Sequence, residues 1–243
     1  MMTFAKLFGA AALCLVPLGG AAQNLSEDDV RALVLQTIRE NPAIVVEALQ
    51  LLELQQQEAQ AESAKATLAQ QRDLLENDPN APVIGNADGD VTLVEFFDYN
   101  CPYCRSAKTE LDALLAADPD VRVVMREWPV LGEGSVFAAR AALASREQGL
   151  YEPFHNALMT MDGRAEEQSV MRVAASVGLD VDQLRRDMDA PDIAEHLQTS
   201  SALGRALGFT GTPSFVIGDN LAPGMIRSDQ MSTLVDLARS AGD

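Results

Sequence analysis

The sequence predicts an α/β protein: a small strand–helix–strand core, interrupted by a helical insertion and preceded by a helical N-terminal extension. Three observations carry this. Residues 91–97 form an apolar run with β-branched and aromatic side chains, and residues 121–127 repeat it after a helical stretch at 106–117. Strand, helix and strand in that order imply a right-handed parallel crossover. Residues 25–76 and 134–207 read as helices, the latter broken at Gly149, Gly163, Gly178 and Ala190-Pro191.

Composition sets the bounds. The 243 residues are 47% apolar and 22% charged, enough for one large domain or one domain with an appendage. Eighteen Lys and Arg stand against 36 Asp and Glu, a formal net charge of −18. That balance argues against a nucleic-acid partner or a polybasic membrane contact, because both need positive charge. With 2 histidines and 3 cysteines, a multi-ligand zinc site is hard to assemble. The chemistry must sit on few residues.

Taken in order, the chain opens with Lys6 and a free amino terminus, an apolar run at 7–18, and the small residues Gly20-Ala21-Ala22. This is the pattern of a secretory signal peptide over residues 1–22, too short to span a membrane. Cleavage would remove Cys14, leave Cys101 and Cys104 as the two cysteines, and place the chain in oxidising surroundings.

The extension, residues 23–78, starts with Ser26 as helix cap and Glu27, Asp28 and Asp29 near the positive end of the dipole. Pro42 can open a second helix, with Asn41 as its cap. Residues 43–76 lack Gly and Pro and would span about 50 Å as one helix. Ile44, Ala48, Leu51 and Leu52 make an apolar stripe at its start. Leu54, Ala61, Leu68 and Leu75 recur every seven residues, but little else in the second half is apolar. Such a helix is a stalk, a weak coiled coil or an arm on another chain, or else a solvated linker. Turn formers at 77–82 mark a boundary, and the main domain is expected over 82–243 with its insertion at about 132–207. A short strand at 214–217, with Met225-Ile226 as its pairing partner, and a helix at 229–239 complete the plan.

Cys101-Pro102-Tyr103-Cys104 falls where the first strand gives way to a helix. Positions i and i+3 share a helix face, close enough for a disulfide in the first turn. Unpaired N–H groups and the helix dipole stabilise a thiolate at Cys101, while Pro102 costs no hydrogen bond so early in a helix. Cys101 is the expected nucleophile, exposed at the strand end, and Cys104 the resolving thiol. Half of a four-cysteine zinc site is the rival reading, but no second pair exists and the histidines lie far downstream. Closing so short a loop also stabilises little.

Glu95 shares a strand face with Leu93 and Phe97. It either points into the core, where a raised pKa would let it exchange a proton with Cys104, or sits on a strand edge facing water. Gly211-Thr212-Pro213-Ser214 opens the late strand, and sequence alone leaves the isomer of the Thr212–Pro213 bond open. His155 and His196 lie in helical patterns and read as structural, as do the scattered methionines.

Together, the 94–104 segment, the helical insertion and 211–215 resemble the exported DsbA-like thioredoxin-fold oxidoreductases, over roughly residues 82–240. Trp128-Pro129-Val130-Leu131-Gly132 before an alanine-rich helix resembles that family's entry into its helical domain. Asn41-Pro42-Ala43-Ile44 within a helical extension is similar to ScsC-type members. The resemblance implies a thioredoxin fold with an inserted helical domain. It implies Cys101 as attacking thiol, Cys104 as resolving thiol and Glu95 as buried strand acid. Pro213 would be a cis-proline facing the site, and Thr212 would present backbone groups to a client paired like an added strand. Pro102 and Tyr103 would touch the client as well.

No cofactor or metal is expected. The implied partners are cysteine-containing protein clients and a redox partner that recycles the pair, in the periplasm. Thr212 before the proline resembles disulfide isomerases of the DsbC type, so an isomerase-like activity is expected, with self-association as a dimer or trimer through the N-terminal helices. A dithiol oxidant of DsbA type is the alternative. A copper-binding or client-holding protein is a further one, since two thiolates alone can hold a soft ion.

Overall fold

A computed structural model describes residues 26–242. The signal-peptide expectation and Cys14 lie outside the described residues. The chain divides into two units, residues 1–55 and 56–243.

The first unit holds α1 (Glu27–Glu40) and the start of α2 (Ala43–Asn77). Ser26 caps α1 through a reciprocal pair in which the Asp29 N–H donates to Ser26 Oγ and the Ser26 N–H donates to Asp29 Oδ2. Asn41 does not cap the second helix, as the sequence suggested. Its backbone and side-chain N–H groups both donate back to the Thr37 carbonyl, closing α1. The final carbonyls of α1 are orphaned and within reach, so they capture the amide first. No residue from 26 to 55 is buried, and Leu33, Val46, Leu49 and Leu51 are each more than half exposed.

The second unit is built on a five-stranded sheet in the order β1-β3-β2-β4-β5. The strands are β1 (Val83–Gly85), β2 (Val91–Phe97), β3 (Val121–Glu127), β4 (Ser214–Ile217) and β5 (Asn220–Pro223). β2 and β3 run parallel and flank α3 (Pro102–Ala117), the expected crossover. β1, β4 and β5 pair antiparallel with their neighbours. The sequence showed neither β1 nor β5. Met225-Ile226 does not pair with β4, because Gly218, at φ 57°, and Asp219 turn the chain within two residues and Asn220 is already opposite Ile217.

Between β3 and β4 the insertion runs through α4 (Glu133–Ala144), a 3₁₀ turn (Ser145–Gln148), α5 (Tyr151–Thr160), α6 (Glu167–Ser176), α7 (Val181–Asp187) and α8 (Pro191–Ala206). α9 (Ser228–Gly242) closes the chain against α3.

Alternation along β2 separates two cores. Leu93 and Phe97 face α3, α9 and the insertion, together with Cys104 and Leu111. Val94 and Phe96 face the other way, onto Trp128, Leu203, Leu207 and Phe209. Trp128 stands edge-on to Phe96, ring centroids 6.0 Å apart, and the absent side chain of Gly204 leaves room for its ring against α8.

The last third of α2 belongs to this second core. Leu68 and Leu75 are buried in it, whereas Leu54 and Ala61 of the same heptad series are exposed. Arg126, fully buried, donates to the carbonyls of Leu74 and Leu75, and its Nη1 lies 2.6 Å from Asp78 Oδ2. The end of α2 is thus capped by a charge from β3. The expected free stalk therefore ends near Gln56, because its last leucines find a partner in the chain's own sheet.

Candidate active site

Cys101 is the N-cap of α3 and Pro102 its first residue, so the cysteine stands where the helix's unpaired N–H groups converge. Both Cys101 and Cys104 are free thiols. Contrary to expectation, Cys101 is not exposed: only 4% of its surface is accessible. The loop before β4 roofs it. The Thr212–Pro213 bond is cis, Pro213 is buried, and the Cys101 thiol donates to the Thr212 carbonyl at 3.2 Å. Pro102 and Tyr103 are exposed beside it, Tyr103 at 65%.

The two sulfurs differ sharply. The Cys104 thiol, followed by the Cys104 backbone N–H, the Thr212 side chain and the Tyr103 backbone N–H, holds the Cys101 pKa down to about 6 against the opposing effect of burial. Cys104 is fully buried, and desolvation, the hydrogen bond with Cys101 and the Glu95 charge push its thiol well above the ordinary range. The arrangement suits attack by one sulfur and later resolution by the other.

Glu95 is 1% exposed on β2, opposite Met125 on β3 and Phe215 on β4, and its Oε1 has no hydrogen-bond partner. Of the two readings the sequence left open, the core-facing one describes its position. Burial raises its pKa to about 8, with Lys108 pulling down and Asp112 and Cys101 pushing up. A carboxyl in this range can both take and give a proton near neutrality.

Three positioning residues escaped the sequence reading. Asp98 is buried, and its Oδ2 accepts from the N–H groups of Val130 (2.8 Å) and Leu131 (2.9 Å), while Oδ1 accepts from Asn100 N–H (2.7 Å). Asn100 uses both ends of its amide: Nδ2 donates to the Ala165 carbonyl and to Ser135 Oγ, and Oδ1 accepts from Ala165 N–H at 2.8 Å. Arg105 bonds the carbonyls of Tyr99 and Met161. The Cys101 turn is therefore stapled to the insertion. The usable signal was the Asp98-Tyr99-Asn100 run just before the cysteine, where short polar side chains favour turn hydrogen bonds.

The histidines are structural in position, both wholly buried. Tyr99 and Tyr151 hydroxyls donate to Glu127 Oε1 at 3.0 and 3.1 Å, and the Tyr99 oxygen lies 3.1 Å from His155 Nδ1. Burial keeps His155 and His196 neutral, each with a pKa of about 3. Met159, Met171 and Met188 pack in the same core.

A thioredoxin-like oxidoreductase from Silicibacter pomeroyi DSS-3 is 62% identical, with a TM-score of 0.69, covering 70% of this chain and 98% of that one. A linker-deleted variant of Proteus mirabilis ScsC is 30% identical, also at TM-score 0.69, covering 93% of this chain and 100% of that one. Among curated proteins, the Na(+)/H(+) antiporter NhaA of Herminiimonas arsenicoxydans is 31% identical over 156 residues, 64% of this chain; the match spans only 25% of that protein's length. Among the described residues no helix is long and apolar enough to cross a membrane. Residues 92–236, from β2 into α9, match the DSBA-like thioredoxin domain, and the chain belongs to that family.

Proposed function

We propose that this protein is a periplasmic thiol–disulfide oxidoreductase that exchanges disulfides with protein clients through Cys101 and Cys104, with isomerase-like activity. The observation that carries the reading is the split between the sulfurs: Cys101 with a pKa of about 6 under the Thr212 carbonyl, and Cys104 buried beside Glu95.

Cys101 thiolate attacks a client disulfide, forming a mixed disulfide and releasing one client sulfur as thiolate. Cys104 then gives its proton to Glu95 and attacks Cys101 Sγ. The Cys101–client bond breaks, and the pair is left as a disulfide for a redox partner to reduce. In an isomerisation the freed client thiolate attacks another disulfide of the client, and the thiolate released there attacks the mixed disulfide and expels Cys101 as thiolate, so the pair stays reduced. Thr212 offers backbone groups to an extended client, and Pro102, Tyr103, Val130 and Leu131 provide an exposed apolar rim.

The unburied apolar face of residues 26–55 supports self-association as a dimer or trimer. That would bring several thiolates to one client without any new active-site contact. The leader read over residues 1–22 supports export. Measuring the reduction potential of the pair, together with refolding of a scrambled multi-disulfide protein, tests the reading. Reactivation of scrambled protein supports an isomerase. A strongly oxidising potential without reactivation makes the protein a dithiol oxidant of DsbA type.

A further inference from the structure

A base buried as deeply as Glu95 needs something to keep it ionisable and to connect it to water. The facing surface of α3 carries one charged side chain in an otherwise apolar row. Cys104, Ala107, Lys108, Leu111 and Leu114 are its buried residues, and Lys108 follows Cys104 by one helical turn. Lys108 is 7% exposed, and its Nζ pairs with Asp112 one turn further on, a carboxylate whose side chain is 56% exposed. The row therefore runs from the resolving thiol to solvent. Glu95 lies across from it, between Leu93 and Phe97, with Oε1 unpartnered.

The groups facing Glu95 are few. From α3 come Cys101, Cys104, Lys108 and Asp112. From α5 comes Tyr151, whose hydroxyl is taken up by Glu127; His155, kept neutral by burial, stands edge-on to Phe97. β4 and α9 add Phe215, Met231 and Val235, none of them titratable. Lys108 is the single ammonium among these groups.

We propose that Lys108 is the positioning residue that keeps Glu95 usable as a base for Cys104, with Asp112 moderating its charge at the solvent end. This rests on the reading of Glu95 as the proton acceptor in resolution. The acceptance step balances as Cys104 S–H plus Glu95 carboxylate giving Cys104 thiolate plus Glu95 carboxylic acid. A fixed positive charge nearby favours the carboxylate side before transfer and the thiolate after it.

The test uses the chain with Cys14→Ser, so that Cys101 and Cys104 are its thiols. Reaction with 5,5′-dithiobis(2-nitrobenzoate) puts thionitrobenzoate on Cys101, and attack by Cys104 releases it as a coloured thiolate whose rate is followed from pH 5 to 10. Lys108→Met should move the midpoint of that profile up by about one pH unit or more, a roughly tenfold slower release at pH 7. Lys108→Arg should restore it. Asp112→Asn, at an exposed site that tolerates change, should move the midpoint down. Formation of the adduct on Cys101 should stay within about twofold throughout. In a Glu95→Gln background Lys108→Met should have no midpoint to move and should slow release equally at every pH. A Lys108→Met or Asp112→Asn profile that coincides with the parent, while Glu95→Gln abolishes the midpoint, overturns the Lys108 proposal alone. A Glu95→Gln profile identical to the parent overturns the Glu95 reading beneath it.

Discussion

The sulfur of Cys101 lies 3.2 Å from the carbonyl oxygen of Thr212, 111 residues away in sequence, and donates its proton to it. Once the thiol ionises that donor is gone, and the carbonyl is free to accept from an incoming backbone. Thiolate formation and client docking are thereby linked at one atom.

The first prediction concerns this sulfur. Alkylation of the reduced protein should modify Cys101 with a midpoint near pH 6, with Cys104 unreactive well into the alkaline range. Mass spectrometry of iodoacetamide-quenched samples reads both sites, and equal rates at the two would contradict the assignment.

Glu95 carries a stability prediction with a definite sign. Its folded pKa of about 8 lies above its ordinary 4.5, so the folded state holds this proton more tightly than the unfolded chain does. Stability associated with Glu95 is therefore intact below pH 4.5 and lost as pH rises toward 8. Glu95→Gln should leave stability nearly unchanged at pH 4.5 and raise it by on the order of 3 kcal/mol at pH 8. Urea titrations at the two pH values check it; a gain that is equal at both, or larger in acid, refutes it.

Asp98 should matter for stability and reactivity together. Asp98→Ala strands the N–H groups of Val130, Leu131 and Asn100, at a cost of about 2 kcal/mol or more. It also loosens the turn carrying Cys101, so the alkylation midpoint should rise. Unchanged thiol reactivity in a destabilised variant would separate the two roles.

The oligomer prediction depends on where the chain is cut. A protein beginning at Gln56 keeps Leu68 and Leu75, and should be a folded monomer active on small disulfides but defective on scrambled protein. One beginning at Asp78 loses both leucines, at about 2–5 kcal/mol each, and leaves Arg126 without its carbonyl acceptors. It should fail to fold. Light scattering and circular dichroism distinguish the cases, and a monomeric full-length chain at tens of micromolar would remove the self-association reading.

Much of this was legible beforehand. The strands at 91–97, 121–127 and 214–217 announced themselves because buried strands are short, apolar and β-branched, and the insertion's breaks fell on glycines with positive φ, as at Gly149 and Gly178. The cysteine turn was read from spacing. β1 and β5 were missed because edge strands of three or four residues carry no periodicity. The concealment of Cys101 and the bonds of Asp98 and Asn100 were missed because each joins segments tens of residues apart. Lys108 drew no reading from the sequence, since only the packing of α3 on β2 turns it inward.

The Arg126 cap on α2 has a consequence for the order of synthesis. Leu68 and Leu75 leave the ribosome well before Trp128 and long before Leu203, Leu207 and Phe209, the residues that cover them. Until α8 emerges, the nascent chain presents a greasy, unmated helix end, so the far terminus of the polypeptide dictates when its near one comes to rest.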